Sequence, residues 1–157
     1  MPIIFKKGLL CALAIIVVDQ ISKQLILEVF LSSDAPFNIN ITGFLDLVLV
    51  WNKGVSFGMF ASDNPYQSWF LAGLTTLIVG GLTAWLWRAN HLLLGVALGF
   101  IIGGAIGNII DRIRFGAVID FVYFHIGNFS WPAFNVADIT ISFGVIFLIL
   151  DSLRKKV

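Results

Sequence analysis

Charge is scarce in this 157-residue chain: Asp, Glu, Lys and Arg make up 12% of it, against 59% hydrophobic residues. A soluble domain of this size needs a polar surface that such a composition does not supply, so the chain reads as an integral membrane protein. Basic residues form no dense tract and the formal net charge is +1, which argues against nucleic acid as a partner. Cysteine occurs once, at Cys11, and excludes an internal disulfide. Histidine occurs only at His91 and His125, far apart, so there is no Cys/His zinc cluster and no evident Ser-His-Asp arrangement. No metal and no other cofactor is expected. Internal repeats and a separate soluble domain are lacking too.

Long apolar runs are plentiful. A spanning helix needs roughly 20 mostly apolar residues, and four segments qualify, at about 8–30, 69–87, 92–110 and 133–153. Lys6 and Lys7 before the first run resemble the start of a signal peptide. No small-x-small cleavage site follows, so this run is expected to remain as the first span. Lys6, Lys7, Arg88, Arg154, Lys155 and Lys156 flank the spans on one side, Lys53, Arg112 and Arg114 on the other. That bias predicts both termini in the cytoplasm and the segments 31–68 and 111–132 outside. Phe37 to Thr42 alternates apolar with polar, and Leu47 to Trp51 is rich in strand formers, with Gly43, Gly54 and Gly58 as punctuation. The expected fold is therefore an all-α membrane protein of four transmembrane helices in a single domain. A small β-rich extracytoplasmic cradle lies between helices 1 and 2. Trp51, Trp69 and Trp131 suit the outer aromatic belt, Trp85 and Trp87 the inner one. Gly95, Gly99, Gly103 and Gly107, four apart, give the third span a smooth face for close helix packing.

Against this background the polar residues stand out. Asp120 sits in Val118-Ile119-Asp120-Phe121-Val122-Tyr123-Phe124, without the Gly, Asn or Ser neighbours of an ordinary turn acid. Asp138 opens an apolar stretch that runs almost unbroken to Leu150. Carboxylates in or beside a bilayer are expensive, which makes each a functional candidate. Asn135 and Asp138 stand at i, i+3 and also suit a helix cap with its third-position acid. Asn108, Asp111 and Arg112 share a face at the end of the third span if its helix continues, and equally suit a helix-ending ion-pair cluster. Asp19 and Lys23 form an i, i+4 pair within the first span, either as a structural ion pair or as the lining of a polar cleft.

Two close carboxyls that share a proton can activate water and protonate a leaving group without a metal. Such chemistry at a membrane edge suits hydrolysis of a membrane-bound or lipidated peptide. Spacing alone leaves the partner of Asp138 open between Asp111 and Asp120. Two rival readings use the same residues: a small transporter or proton-coupled channel subunit, and a non-catalytic assembly subunit joined through the glycine face.

Five blocks in order carry a resemblance. They are Asp19-Gln20-Ile21-Ser22-Lys23; Asn52-Lys53-Gly54-Val55-Ser56-Phe57; Gly103 through Asn108 to Asp111-Arg112; Val118-Ile119-Asp120-Phe121; and Phe134-Asn135-Val136-Ala137-Asp138. Together with four spans they make the chain resemble the bacterial lipoprotein signal peptidases (signal peptidase II), intramembrane aspartic peptidases of the bacterial cytoplasmic membrane. The resemblance implies Asp120 and Asp138 as the catalytic pair near the outer face. It implies Asn52, Gly54, Asn108, Arg112 and Asn135 as residues that position substrate or the pair. Asp19 and Lys23 would support the site, and Asp111 would be an ion-pair partner. The implied substrate is a diacylglyceryl-prolipoprotein in membrane lipid, cut just before its lipidated cysteine, with a globomycin-type cyclic peptide as inhibitor of the same pocket.

Overall fold

A computed structural model describes residues 1–32, 37–54 and 66–154. Val55, Ser56, Phe57 and Gly58, and the cytoplasmic candidates Lys155 and Lys156, lie outside the described residues. In chain order the elements are helix α1 (Ile3–Phe30), strands β1 (Ile39–Thr42) and β2 (Leu45–Asn52), helices α2 (Tyr66–Trp87) and α3 (Leu92–Phe115), strands β3 (Val118–Ile126) and β4 (Phe129–Phe134), and helix α4 (Val136–Arg154). All four helices are long and apolar enough to cross a membrane. At about 1.5 Å per residue the 28 residues of α1 exceed the roughly 30 Å hydrocarbon core. Side chains such as Leu10, Leu13, Ile21, Leu77, Phe143 and Ile149 are exposed along the helices and meet lipid in a bilayer. The chain is a multi-pass membrane protein.

Helix α3 is the central post, packed against α1, α2 and α4. Its glycine face explains how closely α1 approaches. A Cβ on Gly99 would stand 2.5 Å from the carbonyl oxygen of Gly8, and one on Gly103 2.7 Å from that of Ala12. Gly104 and Gly144 allow the same closeness between α3 and α4: a Cβ on Gly104 would lie 2.5 Å from the Ala137 carbonyl oxygen. In lipid, where apolar burial drives little helix association, such contact supplies the packing energy. Phe5, Ala12, Leu86, Leu94, Leu98 and Ile102 fill one end of the bundle.

The sheet has the order β1-β2-β3-β4, antiparallel throughout. The sequence located strand character between the first two spans; the structure draws strands from the segment between the third and fourth helices as well, and β3 pairs directly with β2. Val50 faces Asp120 and Asn52 faces Val118 across that pairing. Ile119 and Phe121 on one face of β3 bury against Ile26, Leu27 and Phe30 at the end of α1. Two local signals set the ends of β3 and α4. Gly116, at φ +73°, closes α3 with its N–H on the Arg112 carbonyl (3.0 Å) and turns the chain into β3. Asn135 and Asp138 close a reciprocal capping box: the Asp138 N–H donates to Asn135 Oδ1 (3.0 Å) and the Asn135 N–H to Asp138 Oδ2 (3.2 Å). Thus Ala133 and Phe134 end β4 rather than open the fourth span, because the cap fixes the helix start at Val136.

Gly99→Ala is expected to cost about 1–3 kcal/mol, because its new methyl meets backbone. Gly80→Ala in α2, with open space at the Cβ, should gain up to about 1 kcal/mol from helix propensity. Thermal unfolding of the two variants in one detergent checks the contrast.

Candidate active site

Asp120 projects from β3 and Asp138 from the first turn of α4, and both line one cavity of about 460 Å³. Asn52, Asn108 and Arg112 stand in its wall beside them. Thr75 of α2 and Ile139, Phe143 and Ile146 of α4 extend that wall along the helices. The two acids come from elements that meet only because β4 returns the chain from β3 to α4.

Three asparagines hold the carboxylates. Asn135 Nδ2 donates to Asp120 Oδ1 (2.7 Å), and Asn52 Nδ2 to Asp120 Oδ2 (2.9 Å). Asn108 Nδ2 donates to Asp138 Oδ1 (3.0 Å). Each amide has its oxygen engaged elsewhere, which leaves the NH2 end to face the acid. The Asn135 oxygen accepts from the Asp138 N–H, the Asn52 oxygen from the Gly54 N–H (3.0 Å), and the Asn108 oxygen from Lys23 Nζ (3.1 Å). Arg112 lies alongside, with Nη2 donating to the Gly54 carbonyl (3.0 Å). Gly54 thus receives Arg112 while steering Asn52. Burial first, and the charge of Asp138 second, push the Asp120 carboxyl up to about 7, although the Asn52 and Asn135 amides and Lys23 oppose the rise.

Behind this layer lies a buried ion cluster. Lys23 Nζ meets Asp19 Oδ2 (2.8 Å) and Asp111 Oδ2 (2.7 Å), so its three donors serve Asp19, Asp111 and Asn108. Relative exposure is 0% for Asp19 and 1% for Lys23 and Asp111. Both aspartates also reach backbone next to the cavity acids. Asp19 Oδ1 accepts the Ala137 N–H (2.9 Å), one residue before Asp138. Asp111 Oδ2 accepts the Ile119 N–H (3.2 Å), one residue before Asp120. A side chain on Gly107 would collide with the Asp19 carboxylate, so the last glycine of the α3 face also makes room for the ion cluster.

All ten residues singled out from the sequence therefore fall in one region, in two layers. Asp120, Asp138, Asn52, Asn108 and Arg112 line the cavity. Asn135 and Gly54 touch those residues, and Asp19, Lys23 and Asp111 stand behind. The capping reading of Asn135 and Asp138 and the ion-pair reading of Asp19 and Lys23 hold alongside this placement. Sequence reasoning passed over Gln20 as a site residue; its Nε2 donates to Asp111 Oδ1 (3.0 Å) and to the Gly107 carbonyl (3.3 Å). Its place beside Asp19 in an apolar span was the available signal. The cavity wall residues Trp131 and Phe134 were not singled out for the site, since aromatic residues are common throughout this chain.

Fold and site define a polytopic membrane protein with an acid-bearing cavity at one end of its helical bundle. The family model for signal peptidase (SPase) II matches residues 11–154. The chain is 46% identical over 152 residues to a lipoprotein signal peptidase of Methylorubrum extorquens (strain PA1), covering 96% of this chain and 87% of the relative. It is 44% identical over 147 residues to that of Azoarcus sp. (strain BH72), covering 93% and 82%. Two solved structures, both described as bacterial membrane enzymes, share the fold. One, at 2.3 Å resolution, superposes with a TM-score of 0.80 at 25% identity, over 96% of this chain and 90% of the other. The second, at 1.9 Å, has a TM-score of 0.76 at 26% identity, over 95% and 94%. The chain belongs to the signal peptidase II family and is a peptidase.

Lys23→Met removes the cation between two buried aspartates and is expected to cost about 3–5 kcal/mol. Asp111→Asn in the Lys23→Met background should recover part of that loss, whereas alone it should destabilise. Unfolding temperatures of the two single variants and the double variant measure this coupling.

Proposed function

We propose that the chain removes signal peptides from diacylglyceryl-modified prolipoproteins, as an aspartic endopeptidase that cuts just before the lipidated cysteine. The observation that carries this reading is the pair Asp120 and Asp138 in the wall of one cavity, each held by asparagine amides. The names of the relatives supply the lipoprotein substrate. The apolar wall along α2 and α4 suits acyl chains and the apolar signal segment while the scissile peptide meets the acids. In this reading both termini lie in the cytoplasm and the cavity lies near the outer face of the bacterial cytoplasmic membrane. A globomycin-type peptide would compete for the same cavity.

The two acids have unlike surroundings, which suggests their order of action. Each accepts two N–H donors, but Asp138 alone is the third residue of a helix, α4, where the helix dipole favours an anion. Asp120, raised to about 7, starts protonated. Asp138 takes a proton from water as the oxygen bonds to the scissile carbonyl carbon, and Asp120 gives its proton to the carbonyl oxygen. The product is a neutral gem-diol. Asp138 then passes its proton to the amide nitrogen as the C–N bond breaks. One gem-diol hydroxyl returns a proton to Asp120 as the carbonyl re-forms. Both acids end as they began, and one water has been added across the peptide bond. Asn52 and Gly54, at the start of the second motif block, would help position the substrate backbone.

Purified enzyme with a lipidated prolipoprotein tests the assignment. Asp120→Asn and Asp138→Asn should each lower kcat by about 10²–10⁴-fold with unfolding temperature preserved, and wild-type activity should persist in chelator. Full cleavage by either variant would sink the pair. The required protonated state of Asp120 gives the sign of the pH dependence: activity falls as pH rises through about 7. Asn52→Ala deletes a donor that favours ionised Asp120, so the falling limb should move to higher pH, read from a kcat–pH profile.

A further inference from the structure

Gln20 is a neutral side chain in contact with both aspartates of the buried ion cluster, and the mechanism above gives it no part. From α1 its Nε2 donates to Asp111 Oδ1 on α3 (3.0 Å) and lies 3.2 Å from Asp19 Oδ2 and 3.3 Å from the Gly107 carbonyl oxygen. Carboxylates and carbonyls accept, so the end of the amide that faces all three is its NH2 end. Arg114 Nη1 donates to Gln20 Oε1 (3.4 Å) and fixes the same orientation from the oxygen side.

What those two aspartates hold gives the contact its meaning. Asp111 Oδ2 accepts the Ile119 N–H, and Asp19 Oδ1 accepts the Ala137 N–H. These amides immediately precede Asp120 and Asp138. Lys23 binds Oδ2 of both aspartates, which leaves Asp111 Oδ1 to Gln20. The terminal torsion of an aspartate is broad, so a donor on each oxygen is what fixes the plane of its carboxylate. An amide supplies that donor without adding charge. Lys23 already opposes the rise of Asp120, and a second cation at position 20 would work further against its protonated form. We infer that Gln20 is a positioning residue of the peptidase: it fixes the Asp111 carboxylate, ties it to Asp19, and so sets Asp120 relative to Asp138. Gln20 acts through the two backbone amides, and this role rests on the peptidase reading.

The test compares full-length wild type with Gln20→Met, which keeps an unbranched side chain and removes the N–H groups. Gln24→Met is the control, one turn further along α1, where Gln24 donates to exposed Glu28 (3.3 Å). With a lipidated prolipoprotein, Gln20→Met should lower kcat at least about five-fold at a KM within about two-fold, because misplaced acids cost turnover rather than binding. Gln24→Met should keep both constants. Without substrate, amide exchange followed by NMR should show Ile119 and Ala137 losing at least about ten-fold in protection in Gln20→Met, while Leu98 and Ile102 of α3 stay within about two-fold. A smaller loss of kcat overturns the inference. A raised KM at unchanged kcat overturns it in favour of direct substrate contact. An even loss of protection through α3 overturns it in favour of plain stabilisation. Gln20→Asn, which withdraws the amide by one methylene, takes the place of Gln20→Met if that variant does not fold. Full cleavage by Asp120→Asn marks a failure of the peptidase reading instead, since the exchange pattern is read without substrate.

Discussion

The buried ammonium of Lys23 is the interaction on which the rest of the site depends. It lies between Asp19 and Asp111 and turns the Asn108 amide toward Asp138. Without it, two carboxylates would face each other in a low-dielectric interior, where an unpaired buried charge costs several kcal/mol. With it, each aspartate keeps an oxygen for the backbone N–H that precedes a cavity acid, at Ala137 and at Ile119. One cation on α1 therefore sets the positions of β3 and α4 relative to each other. The glycine face of α3 is what lets α1 come close enough to deliver it.

Charge balance around the cavity follows from the same cluster. Asp19, Asp111, Asp120 and Asp138 are set against Lys23 and Arg112, so a second charge in the dyad would leave a surplus of two negative charges away from water. A single shared proton is the natural state of such a pair, and the proposed mechanism starts with it on Asp120, because the start of α4 favours an anion at Asp138. The asparagines suit this state because they present N–H groups to either protonation form and add no charge. Their orientation is enforced, since every Oδ1 is already taken.

Much of this was legible in the sequence, for a physical reason. Lipid penalises polar side chains so strongly that Asp19, Lys23, Asn108 and Asp138 advertise themselves in apolar runs. The same penalty makes four spans easy to find. The sheet was harder to read. Strand character between the first two spans was visible, but β3 and β4 were not marked as strands, because their pairing with β2 depends on contacts far apart in sequence. The choice between Asp111 and Asp120 as partner of Asp138 was hidden for a similar reason. Helical spacing ties Asp111 to Asn108 and Arg112, yet its carboxylate is engaged by Lys23 and the Ile119 N–H, while Asp120 reaches the cavity from a strand. Family resemblance pointed to Asp120; spacing could not.

Unequal protonation of the two acids is the central claim, and it can be observed without turnover. Infrared difference spectra of the substrate-free enzyme, recorded across a pH titration, report the carbonyl stretch of a protonated carboxyl group directly. A band that disappears as pH rises through about 7, and that is missing in Asp120→Asn but kept in Asp138→Asn, is the predicted result. A band that survives in Asp120→Asn and vanishes in Asp138→Asn, or no such band below about pH 6, would contradict the account.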